Sequence, residues 1–566
     1  MPKYKNLFKL ATFFGVTGAA ITAKNIRNRY CDDVHGHDDF SKHTRTQHQQ
    51  NLFSGMHKPF FTTNAEQLSL FKQDFSEYTH LLPTNLDELQ YRQARKTPVH
   101  IKRLSDCPVS LDPQYAGAVV VGGPPALMSA VSRAQKGERL TYIRDNQGNA
   151  IYPGAAFHLE QDAETEAPTS YKPSTFLANQ ALRAATRYDS LVTIEKTGRC
   201  SWRTLDWMTW MQHIEHWPVG MRVAWMFQVA AMANPAKKQN ILQKVAEQCK
   251  MNEKFYDDLN KKVGGTLLMP GKGSLIVARN KEEIAELLAM KIRLENEGRT
   301  LTILSKEEIK KRFGFVPNGM MYGEKQHGRV LSSKFMDILS RYIQQQGGTV
   351  INGTLTTVYA DTQQAGGVAE YLTPNGQRHY IRFSCLSLSL GAQAILDTDE
   401  QLLFDVVAAR GVSVLAYMRV PSHYQLPSVI VCGGTNHLTK LSEKPVTIQE
   451  DDGKLYNLYL MRMTAGACIT PNVLEKQVAN YDGSVALGLV TAAQQTLGNE
   501  CKIDPLLVYG CNRQVSGHGQ LHWIEPLPGI YIQYGAGGGG LTRAPDFAVQ
   551  QEVEDKLNTS PRMRQH

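Results

Sequence analysis

The sequence predicts a mixed α/β protein, in which a discontinuous Rossmann-like cofactor-binding domain is interrupted by a mixed β-sheet substrate domain. Three observations predict it. First, Gly529-Ile-Tyr-Ile-Gln-Tyr-Gly-Ala-Gly-Gly-Gly-Gly-Leu-Thr-Arg543 reads as a short strand, a glycine run and the start of a helix. Glycines let the backbone approach a flat or anionic ligand closely, and a helix start points free N–H groups at it. Second, roughly 400 residues earlier, Val119-Val-Val-Gly-Gly-Pro-Pro-Ala-Leu-Met-Ser-Ala130 follows an apolar strand and opens a helix. The next strand, Leu140-Thr-Tyr-Ile-Arg-Asp145, arrives at βαβ spacing. Third, the order of elements places an α/β core at both ends of the chain with an insertion between.

The length of 566 residues suits two or three intertwined domains. A hydrophobic content of 42% with 20% charged residues is ordinary for a soluble enzyme. The net charge of +9 is not gathered into a basic stripe and no nucleic-acid motif occurs, which argues against a nucleic-acid partner. The nine cysteines are dispersed, with no C-x-x-C pair, and read as reduced, mostly buried thiols. No metal site is expected.

Taken from the N-terminus, residues 1–30 form a basic, apolar and again basic segment: Lys3, Lys5 and Lys9, an apolar run from Leu7 to Ala23, then Lys24, Arg27 and Arg29. A signal peptide, a marginal membrane anchor, an organellar presequence and a plain amphipathic helix all fit it. Membrane association is favoured over a freely cytoplasmic location. Residues 31–112 read as a polar linker and N-terminal extension, starting with Cys31-Asp-Asp-Val-His-Gly-His-Asp-Asp39. That histidine cluster reads as flexible linker, because too few apolar residues surround it to hold a rigid site.

Tyr171 to Arg187 and Ser201 to Gln248 read as helices rich in Trp and Met. Gly273 to Arg279 is a strand, Lys281 to Glu297 has helical spacing, and Ser305-Lys-Glu-Glu308 is a capping box. Gly328-Arg-Val-Leu-Ser-Ser333 leads into a helix from Lys334 to Gln346, closed by Gly347-Gly348. Strands follow at 349–351 and 354–359, then a hairpin around Pro374-Asn-Gly376 and a buried strand, Phe383 to Leu390, running into Gly391. Residues 412–470 are strand-rich, and helices are predicted over 473–497 and 544–558.

In this order of pieces the chain resembles the flavin-dependent amino-acid oxidoreductases of the D-amino-acid oxidase superfamily, and most nearly the bacterial D-amino-acid dehydrogenases. The resemblance spans about 115 to 558. It rests on the βαβ turn, the strand-helix-capping-box run from Gly273 to Phe315, and Gly328 to Ser333 with its helix. The strand ending at Leu390-Gly391 and the run Tyr534-Gly-Ala-Gly-Gly-Gly-Gly540 complete it. It implies FAD, with a cofactor domain over 113–200, 325–395 and 505–558 and a substrate domain over 201–324 and 396–504. The residues it places against FAD are Gly122, Gly123, Ala126, Asp145, Gly391, Gly535, Gly537, Gly538, Gly539, Gly540 and Leu541.

The chain departs from the family pattern at defined positions. Counting back from Gly137, Val121, Gly123 and Ala126 take the three glycine places of the dinucleotide fingerprint. A valine at the tight turn disfavours positive φ. A count from Gly122 puts Pro124 and Leu127 at the later places. Pro124 and Pro125 remove two N–H donors. Arg144 stands where an acid is expected, and Asp145 follows it by one residue. Near the C-terminus, Gly510-Cys-Asn-Arg-Gln-Val-Ser-Gly-His-Gly519 resembles the family's substrate arm, with Arg513 in the arginine place. The resemblance gives Arg513 the substrate carboxylate, as a bidentate guanidinium, and Tyr456 a hydrogen bond to the same group.

The expected function is oxidation of a D-amino acid or related amine to the 2-oxo acid, with hydride passing to the flavin. A quinone or oxygen takes the electrons. Such chemistry asks the protein mainly for orientation, consistent with the lack of a Ser/His/Asp constellation. The alternative is a FAD-fold pseudoenzyme or exported interaction protein without redox turnover.

Overall fold

A computed structural model describes residues 90–93, 98–109, 117–145, most of 251–469, parts of 486–516, 522–535 and 544–545. The expectations for the N-terminal segment and linker, the helices over 171–248, the start of the helix at 473 and most of the terminal helix lie outside the described residues. The chain divides into two units, Met1–Lys58 and Pro59–His566, and every described element belongs to the second.

In chain order the first strands are β1 (Gln90–Gln93), β2 (Val99–Arg103), β3 (Ala118–Gly122), β4 (Leu140–Asp145), β5 (Leu268–Met269), β6 (Ser274–Ala278), β7 (Leu301–Leu304) and β8 (Met321–Lys325). Next come β9 (Val330–Leu331), β10 (Thr349–Ala360), β11 (Gly367–Leu372), β12 (Arg378–Phe383), β13 (Cys385–Ser389), β14 (Ile395–Asp397) and β15 (Glu400–Gln401). The rest are β16 (Val406–Pro421), β17 (Val429–Cys432), β18 (Asn436–Lys440), β19 (Val446–Gln449), β20 (Leu455–Ile469), β21 (Lys502–Ser516), β22 (His522–Leu527) and β23 (Ile530–Tyr534). The helices used below are α1 (Pro124–Gln135), α2 (Lys281–Asn296), α3 (Lys306–Phe313) and α4 (Phe335–Gln345), with a further helical stretch at 254–262.

The first sheet has a parallel centre in the spatial order β10-β4-β3-β13-β23. Counted along the chain, that is the doubly wound order 3-2-1-4-5, which reverses direction between β3 and β13. The strand sequence explains the burial. Val119, Val120 and Val121 are all buried, as a parallel strand covered on both faces requires. One face packs Val120, Leu140 and Tyr142 against Leu127 and Val131 of α1, Phe335 and Leu339 of α4, and Tyr256 and Leu259 of the 254–262 helix. The other packs Val119, Val121, Ile143, Leu388 and Ile532 against Ala369 and Tyr371 of β11 and Phe383 of β12. α1 stops where expected: Lys136 caps it, and Gly137 follows at φ 73°.

Two expectations change here. The strands predicted at 349–351 and 354–359 are one strand, β10. Its first half pairs with β4 and its second half with β2 and β11, across a bulge between Leu355 and Thr357. Phe383 ends β12, so the buried strand into Leu390 starts at Cys385.

The second sheet runs β1-β21-β16-β20-β18-β17-β6-β8-β7, with β19 paired to β20. Its centre is three long antiparallel strands, β21, β16 and β20. The predicted capping box opens α3: Ser305 Oγ accepts from the Glu308 N–H at 3.2 Å, and the Glu308 carboxylate accepts from the Ser305 N–H at 2.8 Å. The Ser305 N–H, and the Ser305 hydroxyl that donates to the same carboxylate at 2.9 Å, hold the Glu308 carboxyl below its ordinary value. The expected domain boundary at residue 505 falls inside β21, whose whole length pairs in this second sheet, because its register with β16 is continuous across that point apart from one bulge. Likewise β2, expected in an N-terminal extension, pairs with β10 and β14 in the first sheet.

Candidate functional site

In an open doubly wound sheet, ligands bind beyond the carboxyl ends of the strands, where the strand order reverses. Here that edge is formed by Gly122 and Gly123 after β3, Arg144 and Asp145 at the end of β4, Ser389 to Gly391 after β13, and Tyr534 and Gly535 after β23. α1 starts at the same edge, so its positive end faces it.

Gly122 is the tightest point. Its φ is 135°, and a Cβ there would lie 2.2 Å from the Ser389 carbonyl oxygen. The positive-φ turn therefore sits at Gly122, one residue later than the count that placed Val121 at the turn. Val121 is instead a buried strand residue paired with Leu388 and Ile143. The Gly123 N–H donates to the Ser389 carbonyl at 3.4 Å, and the Tyr142 hydroxyl donates to the Gly122 carbonyl at 2.9 Å. These bonds tie β3, β4 and β13 together at the reversal point.

Pro124 and Pro125 occupy the first two helical positions of α1. They supply no donor, and Gly123 is already bonded, so the Ala126 N–H is left as the helix-start donor for an anionic group. Gly535 leaves β23 at φ 83° and is buried, while Gly391 leaves β13 at φ 64° and is exposed. Gly537, Gly538, Gly539, Gly540 and Leu541 lie outside the described residues. Just beyond them, Ala544 is buried in the core with α1, so the chain after the glycine run returns against the first helix.

A buried polar seam underlies this edge. The Gln533 side-chain oxygen accepts from Ser389 Oγ at 3.2 Å and from Ser129 Oγ at 3.4 Å, joining β23, β13 and α1. All three residues are buried. Sequence reasoning did not single out Gln533, Ser389, Ser129 or Tyr142. The signal was present in part: a glutamine in the otherwise apolar Ile530–Tyr534 run, and serines at alternate positions 387 and 389 of a buried strand.

Arg144 forms an ion pair with Asp337 in the first turn of α4, Nη1 to Oδ1 at 2.5 Å. The Asp145 backbone pairs with Gly353, and its side chain lies outside the described residues.

The two expected substrate residues are not brought together. Arg513 on β21 pairs with Ala409 of β16, whereas Tyr456 on β20 pairs with Pro421 of the same strand. The stretch of β16 from Ala409 to Pro421 puts them on the order of 40 Å apart at about 3.3 Å per residue. One carboxylate cannot touch both. Tyr456 is buried, with Lys502 Nζ 5.6 Å from its ring centre, and serves packing. The Arg513 side chain lies outside the described residues, but its place on the strand is informative. β21 ends at Ser516, and the chain re-enters the first sheet at His522, which pairs with Tyr534 immediately before Gly535. Six residue steps reach at most about 20 Å. The Arg513 end of the second sheet is therefore tethered to the cofactor edge, and the Tyr456 end is the far one.

A cavity of about 610 Å³ in the second sheet is lined by Arg279, Lys306, Pro317, Asn318, Tyr322 and Gln495 among others. In it Arg279 pairs with Glu283 at 3.0 Å, and the Tyr322 hydroxyl donates to the Pro317 and Gly319 carbonyls. No residue lining it belongs to the cofactor edge.

The edge fits an extended dinucleotide cofactor in its strand order, in the Gly122 turn and in the buried Gly535 turn. It provides fewer phosphate donors at α1 than the usual fingerprint, and a cation in place of the usual acid at Arg144.

The family model for FAD-dependent oxidoreductases matches residues 136–548, more than half of the chain. The match begins after β3 and α1, where the fingerprint is altered. Among curated proteins none matches the sequence. Similar solved structures include the glycine oxidase from Geobacillus kaustophilus, at 12% identity and TM-score 0.44, covering 79% of this chain and 96% of that one. The L-alpha-glycerophosphate oxidase from Mycoplasma pneumoniae is 14% identical at TM-score 0.43, with coverages of 79% and 96%. The L-amino acid deaminase from Proteus myxofaciens is 11% identical at TM-score 0.42, with coverages of 83% and 96%. At these values the substrates of those proteins say nothing about the substrate here.

Proposed function

The chain belongs to the FAD-dependent oxidoreductase family, and from that premise we propose that it oxidises an amino acid or related amine, D-amino acids first, at the carbon bearing nitrogen. Bound FAD supplies the two-electron acceptor for this oxidation, and water then converts the imine product to the 2-oxo acid and ammonia. Oxygen or a quinone reoxidises the enzyme.

The protein's own part is orientation. The Gly122 turn lets β3 close on β13 at the reversal point, and the Gly535 turn opens the glycine run at the same edge. The Gln533 seam fixes the strand leading into the second turn. Arg513 is proposed to hold the substrate carboxylate, since a planar guanidinium matches it bidentately. The observation that carries this reading is the short link from Ser516 to His522, which brings the Arg513 end of β21 towards the edge that Gly535 leaves.

The test is Arg513→Lys, assayed with D-amino acids and a soluble dye acceptor, and with oxygen uptake in parallel. A point charge in place of a fork loses charged hydrogen bonds of about 1.5–3 kcal/mol. Apparent substrate affinity should therefore fall by roughly ten- to a hundredfold with flavin content unchanged. Kinetics equal to the parent across D-amino acids would remove Arg513 from the site.

A second reading is favoured by Pro124 and Pro125, which withdraw donors from the phosphate end of α1. In it the fold binds flavin without turnover. A substrate that reduces the bound flavin in the absence of air separates the two.

A further inference from the structure

We propose that Asp337, held by Arg144, accepts the hydrogen bonds of the adenosine ribose of FAD. In dinucleotide-binding sheets an acid at the end of the second strand takes the ribose hydroxyls. Here β4 ends in Arg144 and Asp145, with Arg144 in the place that the fingerprint gives the acid, and a guanidinium has five donors and no acceptor. It cannot receive a hydrogen bond from a hydroxyl. Arg144 pairs with the carboxylate of Asp337, 2.5 Å away, in the first turn of α4. The acceptor has thus moved from the strand to the neighbouring helix, and stays at the same edge of the sheet.

Three observations carry the assignment. Arg144 is largely buried, its side chain 16% exposed, and continues the face on which Tyr142 meets α1 and α4. Asp337 is 52% exposed, and its contact with Arg144 is made through one oxygen, Oδ1. Its backbone is fixed from below by Phe335, Met336 and Leu339, all in the core shared with α1. An acid in the first turn of α4 is favourable at a helix N-terminus without an arginine partner, so α4 itself does not require the pair.

The proposal rests on FAD as the cofactor and is independent of the substrate. The experiment uses the full chain stripped of flavin and refilled with FAD or with an analogue lacking the adenosine 2′-hydroxyl. Affinity is read from the change in flavin fluorescence. The parent should prefer FAD about tenfold. Asp337→Asn should erase that preference while the melting temperature of the flavin-free protein stays unchanged, and Asp337→Glu should restore part of it. A preference that survives in Asp337→Asn, or one that Asp145→Asn erases instead, would overturn the assignment. So would a parent that binds the two ligands equally. A parent that binds neither would remove the cofactor itself, and so distinguishes failure of the family reading from failure of this one.

Discussion

Gly122→Ala should lose several kcal/mol of stability and its bound flavin together. The added Cβ meets the Ser389 carbonyl oxygen at 2.2 Å, and the carbonyl carbon at 2.7 Å. Both atoms are backbone on a central parallel strand, so neither yields as a side chain would. Backbone at φ 135° adds strain of about 1–3 kcal/mol for a residue with a Cβ, and overpacking adds about 1–3 kcal/mol more. Against a total stability of roughly 5–15 kcal/mol, the melting temperature should fall by many degrees. Flavin should be released well before the remaining fold melts, because the strain falls on the reversal point between β3 and β13. Gly137→Ala is the control. Its φ is 73° and nothing lies within 4 Å of the added carbon, so only the left-handed backbone term of about 1–2 kcal/mol applies. Thermal unfolding with parallel flavin fluorescence checks both. Equal melting temperatures for the two variants would contradict the close-packed reversal point.

Gln533→Leu should cost about 2–5 kcal/mol. The change keeps volume but removes the acceptor shared by Ser129 and Ser389, whose hydroxyls are buried and would each lose about 1–3 kcal/mol if left unpaired. The same accounting predicts a rescue. Ser129→Ala and Ser389→Ala, added to Gln533→Leu, remove the orphaned hydroxyls and should recover part of the loss, since replacing both sides of a buried polar contact is cheaper than replacing one. Denaturant unfolding of the single and triple variants provides the measurement. A triple variant no more stable than Gln533→Leu would show that the seam is not a coupled unit.

The cofactor half of the fold was legible because its signals are local. An apolar run, a glycine pair and a helix stop at Gly137 lie within twenty residues or so of each other, and a short valine run closed by glycines suits a parallel strand buried on both faces. What links the parts is not local. Gln533 meets Ser389 across 144 residues and Ser129 across 404, and periodicity says which face a residue occupies without saying what covers it. Of the two fingerprint counts, the one made from Gly137 put the turn at Val121, whereas two prolines at the start of α1 and the Ser389 carbonyl put it at Gly122, where the other count began. Resemblance placed Tyr456 and Arg513 in one pocket. The register of β16, a property of strand pairing and not of any motif, put them at opposite ends of a long sheet. The boundary at 505 failed in the same way, since β21 is one continuous strand on β16.

The central claim is that this edge holds FAD and passes it electrons from an amine. The visible spectrum of the gently purified full chain, before and after anaerobic addition of D-amino acids, tests it most directly. The account predicts flavin bands near about 375 and 450 nm, properties of the cofactor, released as FAD on heating and bleached by a substrate. A colourless protein that also takes up no added FAD would contradict it.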